Sequence, residues 1–407
     1  MDVIYPRCAG LDVHKQTVVA CVRIAGDGSA LQEVRTFATT TAGLLTLADW
    51  LDSFGIKHVG MEATGVYWKP IWHVLEGHFE LVLANAAHVK NVPGRKTDVS
   101  DAMWLADLLA HGLIRASFVP PVPVQELRAL TRTRKQFVRE RSAHVQRIEK
   151  VLEEANLKLG VVLSDIMGKS GRAVLQAIVA GQTDPERLLA YVSLRVKTPR
   201  AEVLEALRGH IRTHHRFMLK LHLEHIDALD RAIVTIEKEV GLGLEPFRAA
   251  ARLITTMPGM SEVASHVVIA EIGIDMSRFQ TPGHLLSWAC LCPRNDESAG
   301  KRRSTRLRRG GHWLKTTLVQ AAWSAVRVKG GYLQAQFHRL RARRGAKKAI
   351  IAVAASMLTA VWHMLRDGTE WQDLGASHFD RADAHKTATR LIRRLQQIGY
   401  TVQVAAP

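Results

Sequence analysis

The N-terminal part of the chain alternates short apolar, β-branched runs with turn residues, which is the pattern of a sheet. The predicted strands cover residues 8–24, 31–38, 58–62 and 79–84. A turn over residues 25–28 makes the first two an antiparallel hairpin, and a helix at about 66–76 joins the last two as a β-α-β crossover. The pattern therefore predicts a mixed α/β domain.

After a proline-rich linker at 120–123, the apolar positions change to alternating three- and four-residue steps. These steps run from 124 to 159 and again from 226 to 240, and they predict two long helices. The two helices can pair within one chain as a plain hairpin, or between subunits as a dimerising coiled coil, which would explain their length better. Arg134 and Arg141 at two seam positions argue against a uniformly dry interface.

The later segments contain shorter patterns. Residues 160–200, with several Gly and Pro breakers, predict an irregular insert. A Pro-Gly turn at Gly259 between two helices predicts either a helix-hairpin-helix-like element that contacts backbone phosphate or a simple helix-helix corner. The apolar stretch 349–365 is short for a membrane span and predicts a buried core helix. The predicted domains are an α/β domain at 1–118, a linker and helical coiled-coil region at 119–248, a mainly α-helical C-terminal domain at 249–370 and a tail at 371–407.

Charge is the strongest compositional signal. Lys and Arg number 56 against 38 Asp and Glu, giving a net charge of +18 and a pI near 10.1, so we expect a polyanionic partner. This charge fits nucleic acid, an anionic membrane or a ribosomal role without choosing among them. Four cysteines are too few and too irregularly spaced for a disulfide framework or a zinc knuckle, and no secretory leader opens the chain. We therefore expect a cytoplasmic protein with reduced, mostly buried thiols.

Four acids stand where the predicted sheet and a following helix converge: Asp12, Glu62, Asp98 and Asp101. Asp12 lies in an apolar strand, where an ionised carboxylate must be paired or must hold a metal. Glu62 ends a strand, and Asp98 and Asp101 open a helix predicted over 98–113, with Asp101 on the stripe that faces the sheet. The alternatives are an N-cap at Asp98 with Asp101 in the first turn, and a solvent-facing Glu62. Together the four acids suit a two-metal nuclease site.

A second candidate site lies far downstream, in the stretch 288–311 before a predicted amphipathic helix that runs to about residue 328. Its basic residues are Lys301, Arg302, Arg303, Arg306, Arg308 and Arg309. Ser298 is a candidate nucleophile, because neighbouring cations would neutralise an attacked phosphodiester. Ser304 is a rival nucleophile in the same stretch, and a serine in a basic loop is more often a phosphate-binding hydroxyl.

These residues stand in contexts that resemble the DEDD-type insertion-sequence transposases of bacteria and archaea. The N-terminal contexts are Gly10-Leu11-Asp12-Val13-His14-Lys15, Met61-Glu62-Ala63-Thr64-Gly65 and Lys96-Thr97-Asp98-Val99-Ser100-Asp101-Ala102. Downstream, the order of a Pro, a Ser-x-Gly-Lys loop, a basic stretch with glycine and a long helix is similar to the family's C-terminal domain. The resemblance covers roughly residues 8–116 and 250–329. It implies a RuvC-like, ribonuclease-H-like first domain.

The resemblance also implies an activity and its partners. A tetrad of Asp12, Glu62, Asp98 and Asp101 would hold Mg²⁺ or Mn²⁺, and Ser298 would bond covalently to double-stranded donor and target DNA. The implied assembly is a dimer that forms a tetramer, with a structured noncoding bridge RNA choosing the DNA sites. The basic residues and Gly259 would contact nucleic acid, and we expect no membrane partner and a nucleoid location. The alternatives are a junction-resolving nuclease, in which water attacks, and a nonenzymatic nucleic-acid-binding protein.

Overall fold

The N-terminal apolar runs form a five-stranded sheet in the computed structural model of the chain. The structure describes residues 2–26, 29–85, 89, 100–293, 296–298, 301–304, 306–308, 310–381 and 384–403. The chain divides into two units, Met1–Val119 and Pro120–Pro407.

The sheet belongs to the first unit and combines antiparallel and parallel pairing. Its strands are β1 (Arg7–Val13), β2 (Thr17–Ile24), β3 (Leu31–Ala38), β4 (His58–Glu62) and β5 (Glu80–Ala84). In the order β3-β2-β1-β4-β5, the first three strands pair antiparallel, and β1, β4 and β5 pair parallel. The prediction of a mixed α/β domain is confirmed.

Two details of the predicted sheet were different. Residues 8–24, predicted as one strand, form β1 and β2, which are joined by a turn in which the His14 N–H donates to the Thr17 carbonyl at 2.9 Å. A helix that the prediction omitted, α1 (Thr41–Ser53), follows β3. The predicted turn at 25–28 joins β2 to β3, although Asp27 and Gly28 lie outside the described residues.

Helices cover both faces of the sheet. α1 and α2 (Trp68–Leu75) pack on the face that carries Leu11 and Met61. α3 (Asp101–Ala110) packs on the other face, where it buries Cys8 and Cys21. Burial raises the pKa of Cys8 to about 12 and that of Cys21 to about 11, so both thiols stay protonated and unreactive near neutral pH.

Two long helices of the second unit pair antiparallel within the chain: α4 (Val122–Glu154) packs along α9 (Thr213–Gly243). The arginines predicted at the seam meet acids on the other helix. Arg134 Nε donates to Glu237 Oε1 at 2.8 Å, and Arg141 Nε donates to Asp230 Oδ1 at 2.5 Å. The described chain thus has the hairpin arrangement, and dimerisation through these helices stays a prediction.

The insert at 160–200, predicted to be irregular, is about half helical. It contributes to α5 (Leu159–Val162), α6 (Lys169–Val179), α7 (Pro185–Leu189) and α8 (Arg200–Ala206). Their buried side chains form one apolar core with Leu152 of α4 and Leu223 of α9. The prediction was wrong because the helices of this insert are short and cannot form an apolar core by themselves. They bury their apolar side chains against the end of the hairpin.

The remainder of the second unit is a helical bundle around one apolar helix. Its elements are α10 (Arg248–Thr255), α11 (Glu262–Ile272), α12 (Pro282–Trp288), β6 (Asp296–Ser298), β7 (Lys301–Ser304), α13 (His312–Ala325), α14 (Tyr332–Arg344), α15 (Ala346–Asp367), α16 (His378–Arg381) and α17 (Ala384–Gln397). By length and composition α15 could cross a membrane. It instead contacts α10, α12, α13 and α14, and Trp362 Nε1 donates to the Phe279 carbonyl at 2.9 Å. This packing agrees with the predicted core helix.

Three histidines meet at the seam of the hairpin. His144 of α4 and His222 of α9 approach each other at 3.1 Å between their Nδ1 atoms, and the ring of His225 stacks on that of His144. Burial, and after it positive neighbours that include Arg147, lower the pKa of both His144 and His222, while Glu140 opposes the shift at His144. One N–H can be shared between the two Nδ1 atoms only while one of the rings lacks a proton there.

We expect the hairpin to lose stability as the pH falls below the ordinary histidine pKa. The pKa values of His144 and His222 are depressed in the folded chain, so the unfolded chain takes up protons first as the pH falls. The stability that this pair provides above pH about 6.5 is therefore lost toward lower pH. His222→Gln should therefore flatten the dependence of Tm on pH between about pH 7.5 and 5. His284→Gln, at an exposed position of α12, is the control. An unchanged pH dependence in His222→Gln would show that the histidine pair does not set it.

Candidate active site

The ends of two neighbouring parallel strands bring two of the predicted acids together. β1 and β4 pair in a register that places Leu11 beside Met61. The next position on each strand is an acid, Asp12 on β1 and Glu62 on β4. Because side chains alternate between the faces of a strand, both acids lie on the opposite face from Leu11 and Met61, which is the face that α3 covers.

A missing side chain lets α3 approach the sheet closely. A Cβ at Gly10 would lie 2.3 Å from the carbonyl oxygen of Ala102 and 2.4 Å from the amide nitrogen of Ala106, so α3 lies directly on the backbone of β1. Ser100 caps the helix, because its hydroxyl accepts a backbone N–H of the first turn at 3.3 Å. The cap places Asp101 in the first turn, at the end of the helix that is near the acids.

Three acids of the predicted tetrad line one small pocket. The residues around it are Leu11, Asp12, Glu62, Val89, Asp101, Trp104 and Leu105. Asp98 lies outside the described residues, and the cap of the helix predicted to begin there is Ser100. Asp12 Oδ2 lies 3.2 Å from Nε2 of His14.

The chemistry of this pocket suits a hard divalent cation. Carboxylate oxygens are the ligands that Mg²⁺ and Mn²⁺ prefer, and within the described ranges no Lys or Arg forms an ion pair with Asp12 or Glu62. The ligand oxygens of Asp12, Glu62 and Asp101 do not all lie within 4.8 Å of one another, unlike the ligand atoms of one other group among the described residues. Trp104 adds a buried indole N–H that finds no acceptor among the described residues. Trp104 was not among the predicted site residues, although its spacing of three residues from Asp101 places it on the same helix face.

Ser298 lies in a short β-hairpin and not in an irregular loop. β6 and β7 pair antiparallel with Ser298 directly opposite Lys301. An isolated bridge between Pro293 and Leu307 closes the base of the hairpin. The chain then enters α13 through Gly311, whose φ of 59° is in the left-handed region, and a Cβ there would lie 2.6 Å from a carbonyl oxygen at the end of α12. Glycine at this position therefore permits both the turn and the close approach.

Three of the predicted cations belong to this hairpin, and the others follow it in the chain. Lys301, Arg302 and Arg303 lie in β7, Arg306 and Arg308 follow and are exposed, and Arg309 lies outside the described residues. The rival nucleophile, Ser304, has a structural contact, because its Oγ accepts the backbone N–H of Arg306 at 3.2 Å.

Gly259, predicted to contact nucleic acid, packs against another helix. Its φ is 82°, and a Cβ would lie 2.3 Å from the carbonyl oxygen of Ala321 and 2.6 Å from the amide nitrogen of Ala325 on α13. This close packing accounts for the glycine by itself. Contact between the turn and a DNA phosphate stays a prediction.

One group of potential metal ligands was not anticipated: Glu154, His214 and His215, the converging set among the described residues. His215 is 3% exposed, and its Nε2 lies 3.6 Å from Glu154 Oε1. Its Nδ1, however, accepts the backbone N–H of Arg212 at 3.2 Å. The neutral ring must then carry its proton on Nε2, which leaves that atom no lone pair for a metal. The arrangement is better explained as a cap at the start of α9.

Two family models match the chain, in the same order as the two candidate sites. Residues 9–157 match a DEDD-type model of the IS110 group, described as "Transposase", and residues 251–338 match one described as "Transposase IS116/IS110/IS902 family". Together the matches cover more than half of the chain. The chain belongs to the IS110 family of insertion-sequence transposases.

A similar protein supports this assignment. This IS110-family chain is 24% identical over 288 residues to the transposase for insertion sequence element IS1111A of Coxiella burnetii (strain RSA 493 / Nine Mile phase I). The matched residues cover 70% of each protein. The first model spans Asp12, Glu62 and Asp101, and the second spans Ser298 and the cations that follow it. Membership makes the protein a DNA transposase, and DNA is therefore the polyanion that its charge led us to expect.

We expect Gly10→Ala to disturb the contact between α3 and β1 much more than Gly60→Ala. A Cβ at Gly10 meets backbone at 2.3 Å, whereas one at Gly60 meets Leu109 Cδ2 at 3.3 Å, the end of a movable side chain. Gly10→Ala should lower the free energy of unfolding by ~1–3 kcal/mol or more, and Gly60→Ala by less than ~1 kcal/mol. Denaturant unfolding of the two variants measures this difference. Equal losses would contradict the backbone contact.

Proposed function

We propose that this IS110-family transposase cuts and rejoins donor and target DNA with a metal site in its first unit and a serine nucleophile in its second. The observation that carries the proposal is that Asp12, Glu62 and Asp101 line one pocket. The strand order β3-β2-β1-β4-β5 supports assigning the first unit to the RuvC-like branch of the ribonuclease-H fold. Asp98, just before α3 in the chain, completes the proposed tetrad.

In this proposal the four carboxylates hold one or two Mg²⁺ or Mn²⁺ ions. When bound, the ions would stabilise negative charge on the attacking and leaving oxygens of the DNA phosphate. Asp12 and Glu62 come from adjacent strands and Asp101 from the helix that lies on them, so rigid elements set their spacing. The indole N–H of Trp104 is available to donate to a phosphate oxygen at the same pocket.

The proposed nucleophile is Ser298. Attack of its Oγ on a DNA phosphorus forms a serine–phosphate ester, breaks one P–O bond of the strand, and transfers the serine proton to the released sugar oxygen. Attack by a second sugar hydroxyl reverses these steps on a new strand and keeps the ester energy for rejoining. Lys301 at the paired position of the hairpin supports this role as a source of positive charge. The match of Ser298 to the family's Ser-x-Gly-Lys loop favours Ser298 over Ser304.

The proposal extends to nucleic-acid contacts and assembly. The cations Lys301, Arg302, Arg303, Arg306, Arg308 and Arg309 would bind the DNA backbone around the serine hairpin. The helix-turn-helix unit of α10 and α11, with Gly259 at its turn, would add phosphate contacts as a helix-hairpin-helix-like element.

Sequence choice is assigned in this proposal to a structured bridge RNA that pairs with donor and target DNA. The protein would then recognise backbone and shape, which agrees with its excess of Lys and Arg. Subunits would pair through the hairpin region and assemble into a tetramer, in which the acids of one subunit serve the serine of another.

The metal site is tested by removing one carboxylate at a time. Asp12→Asn or Glu62→Gln should lower Mg²⁺-dependent DNA cleavage at least ~100-fold, because each removes a charged ligand. The same variants should bind Mn²⁺ more weakly, as followed by electron paramagnetic resonance. Asp52→Asn, at an exposed position of α1, is the control that keeps cleavage and binding. Cleavage that continues in EDTA would exclude the proposed site.

The nucleophile is tested with labelled DNA and denaturing electrophoresis. The wild-type protein should form a covalent protein–DNA adduct, which Ser298→Ala abolishes and Ser304→Ala retains. Loss of the adduct in Ser304→Ala alone would reassign the nucleophile. Metal-dependent cutting by the wild type without any adduct would show that water attacks, as in a junction-resolving nuclease.

A further inference from the structure

Four helices of the second unit enclose a cleft that the proposed chemistry does not use. α4, α9, α11 and α13 surround a volume of about 760 Å³. Cavities of ~300–1,000 Å³ take ligands of drug size, so this cleft has room for one or two nucleotides of a single strand and not for a double helix.

One wall of the cleft is cationic. Lys135 and Arg139 lie one turn apart on α4 and both contact the ring of Trp313, at 5.8 Å and 5.2 Å from its centroid. The ammonium of Lys135 donates to neutral acceptors, Thr316 Oγ1 at 2.5 Å and the Trp313 carbonyl at 3.2 Å. In the described ranges neither cation forms an ion pair with an acid.

These two charges also repel each other. Burial is the first cause that lowers the pKa of Lys135 and the positive charge of Arg139 is the second, while the charge of Glu271 opposes the shift. The fold therefore holds two like charges close together with neutral partners, an arrangement that an anion between them would relieve.

The acids at the cleft do not supply that anion. Glu237 is paired with Arg134, at 2.8 Å between Oε1 and Nε. Glu262, in the first turn of α11, lies 3.8 Å from His266 Nε2. Glu237 is thus engaged by Arg134, and Glu262 lies beside a histidine whose pKa is lowered, first by burial. Neither carboxylate forms an ion pair with Lys135 or Arg139 among the described residues.

The other walls offer hydrogen-bonding groups and an apolar surface. Gln320 and Ser324 are exposed on α13 at a spacing of four residues, and their side chains have no hydrogen-bond partner among the described residues. Val240, Val263 and Val267 form an apolar side of the cleft. Cations, amide and hydroxyl groups, and an apolar surface are the features that phosphate, sugar and base require of one site.

We propose that this cleft binds an unpaired segment of a nucleic acid strand, with a phosphate placed against Lys135 and Arg139. The phosphodiester chemistry is common to DNA and RNA, so both strand types are candidate ligands. The cleft contains neither the acids nor the serine of the proposed reaction, and binding can therefore be measured without catalysis.

The test is binding of fluorescently labelled single-stranded DNA, single-stranded RNA and duplex DNA to the full-length protein in EDTA. Arg139→Gln should weaken binding of at least one single strand about five- to ten-fold and reduce the slope of log K against log salt by about 0.7, the value of one lost phosphate contact on a single strand. Duplex binding should change less. A larger loss on RNA assigns the cleft to a guide RNA, and a larger loss on DNA assigns it to an opened DNA strand.

Two further variants keep the test decisive. Lys150→Gln removes an equivalent charge at an exposed position of α4 away from the cleft and should leave single-strand binding within about two-fold. Ser324→Trp fills the cleft without changing its charge and should weaken single-strand binding at least as much as Arg139→Gln, with Tm measured to show that both variants are folded. Equal effects of Arg139→Gln and Lys150→Gln, or normal single-strand binding by folded Ser324→Trp, would overturn the proposal.

Discussion

Backbone contact between β1 and α3 is the constraint on which the candidate active site depends. There is no room for a side chain at Gly10, between the strand and the turn of the helix from Ala102 to Ala106. This close packing fixes the position of Asp101 relative to the acids on β1 and β4. Farther along α3, the guanidinium of Arg23, a residue that is 7% exposed, lies 3.2 Å from Asp107 and holds the helix at a second point. Because metal ligands must be placed to within ~0.2 Å, the proposed metal site would depend on precise packing here.

The sequence was sufficient to predict the sheet, with Asp12 in one strand and Glu62 at the end of another, because alternating and apolar β-branched runs identify strands. It was insufficient at the turn between β1 and β2, where His14 stands in a tight turn without Gly or Pro. The prediction for the insert at 160–200 failed for the opposite reason, because its glycines were interpreted as breakers. Gly168 is the N-cap of α6 and Gly171 lies inside that helix, where a Cβ would be 2.2 Å from the Ile166 carbonyl oxygen. These glycines serve capping and packing, and they do not interrupt structure.

The helical hairpin shows what periodicity leaves undecided. Apolar steps of three and four residues identify the buried face of a helix but not the helix that covers it. The partner is set by charge: Arg134 pairs with Glu237, and Arg141, seven residues later on α4, pairs with Asp230, seven residues earlier on α9. That opposite progression is the signature of antiparallel pairing. It is present in the sequence, and the seam arginines that seemed to weaken a coiled coil are the residues that specify this one.

The same helix shows why net charge is a poor measure of the charge available to nucleic acid. Arg128, Arg132, Lys135 and Arg139 follow one face of α4 at four- and three-residue steps and look equivalent in sequence. Arg128 donates to the Ala270 and Glu271 carbonyls at the end of α11, and Arg132 binds the carboxylate of Glu271, which is 2% exposed, through two bonds of 2.7 and 2.8 Å. A buried carboxylate must be compensated, so helix packing uses both of these charges. Lys135 and Arg139, one and two turns farther along, have neutral partners. Position relative to buried acids, and not the sum of +18, therefore decides which cations can bind a polyanion.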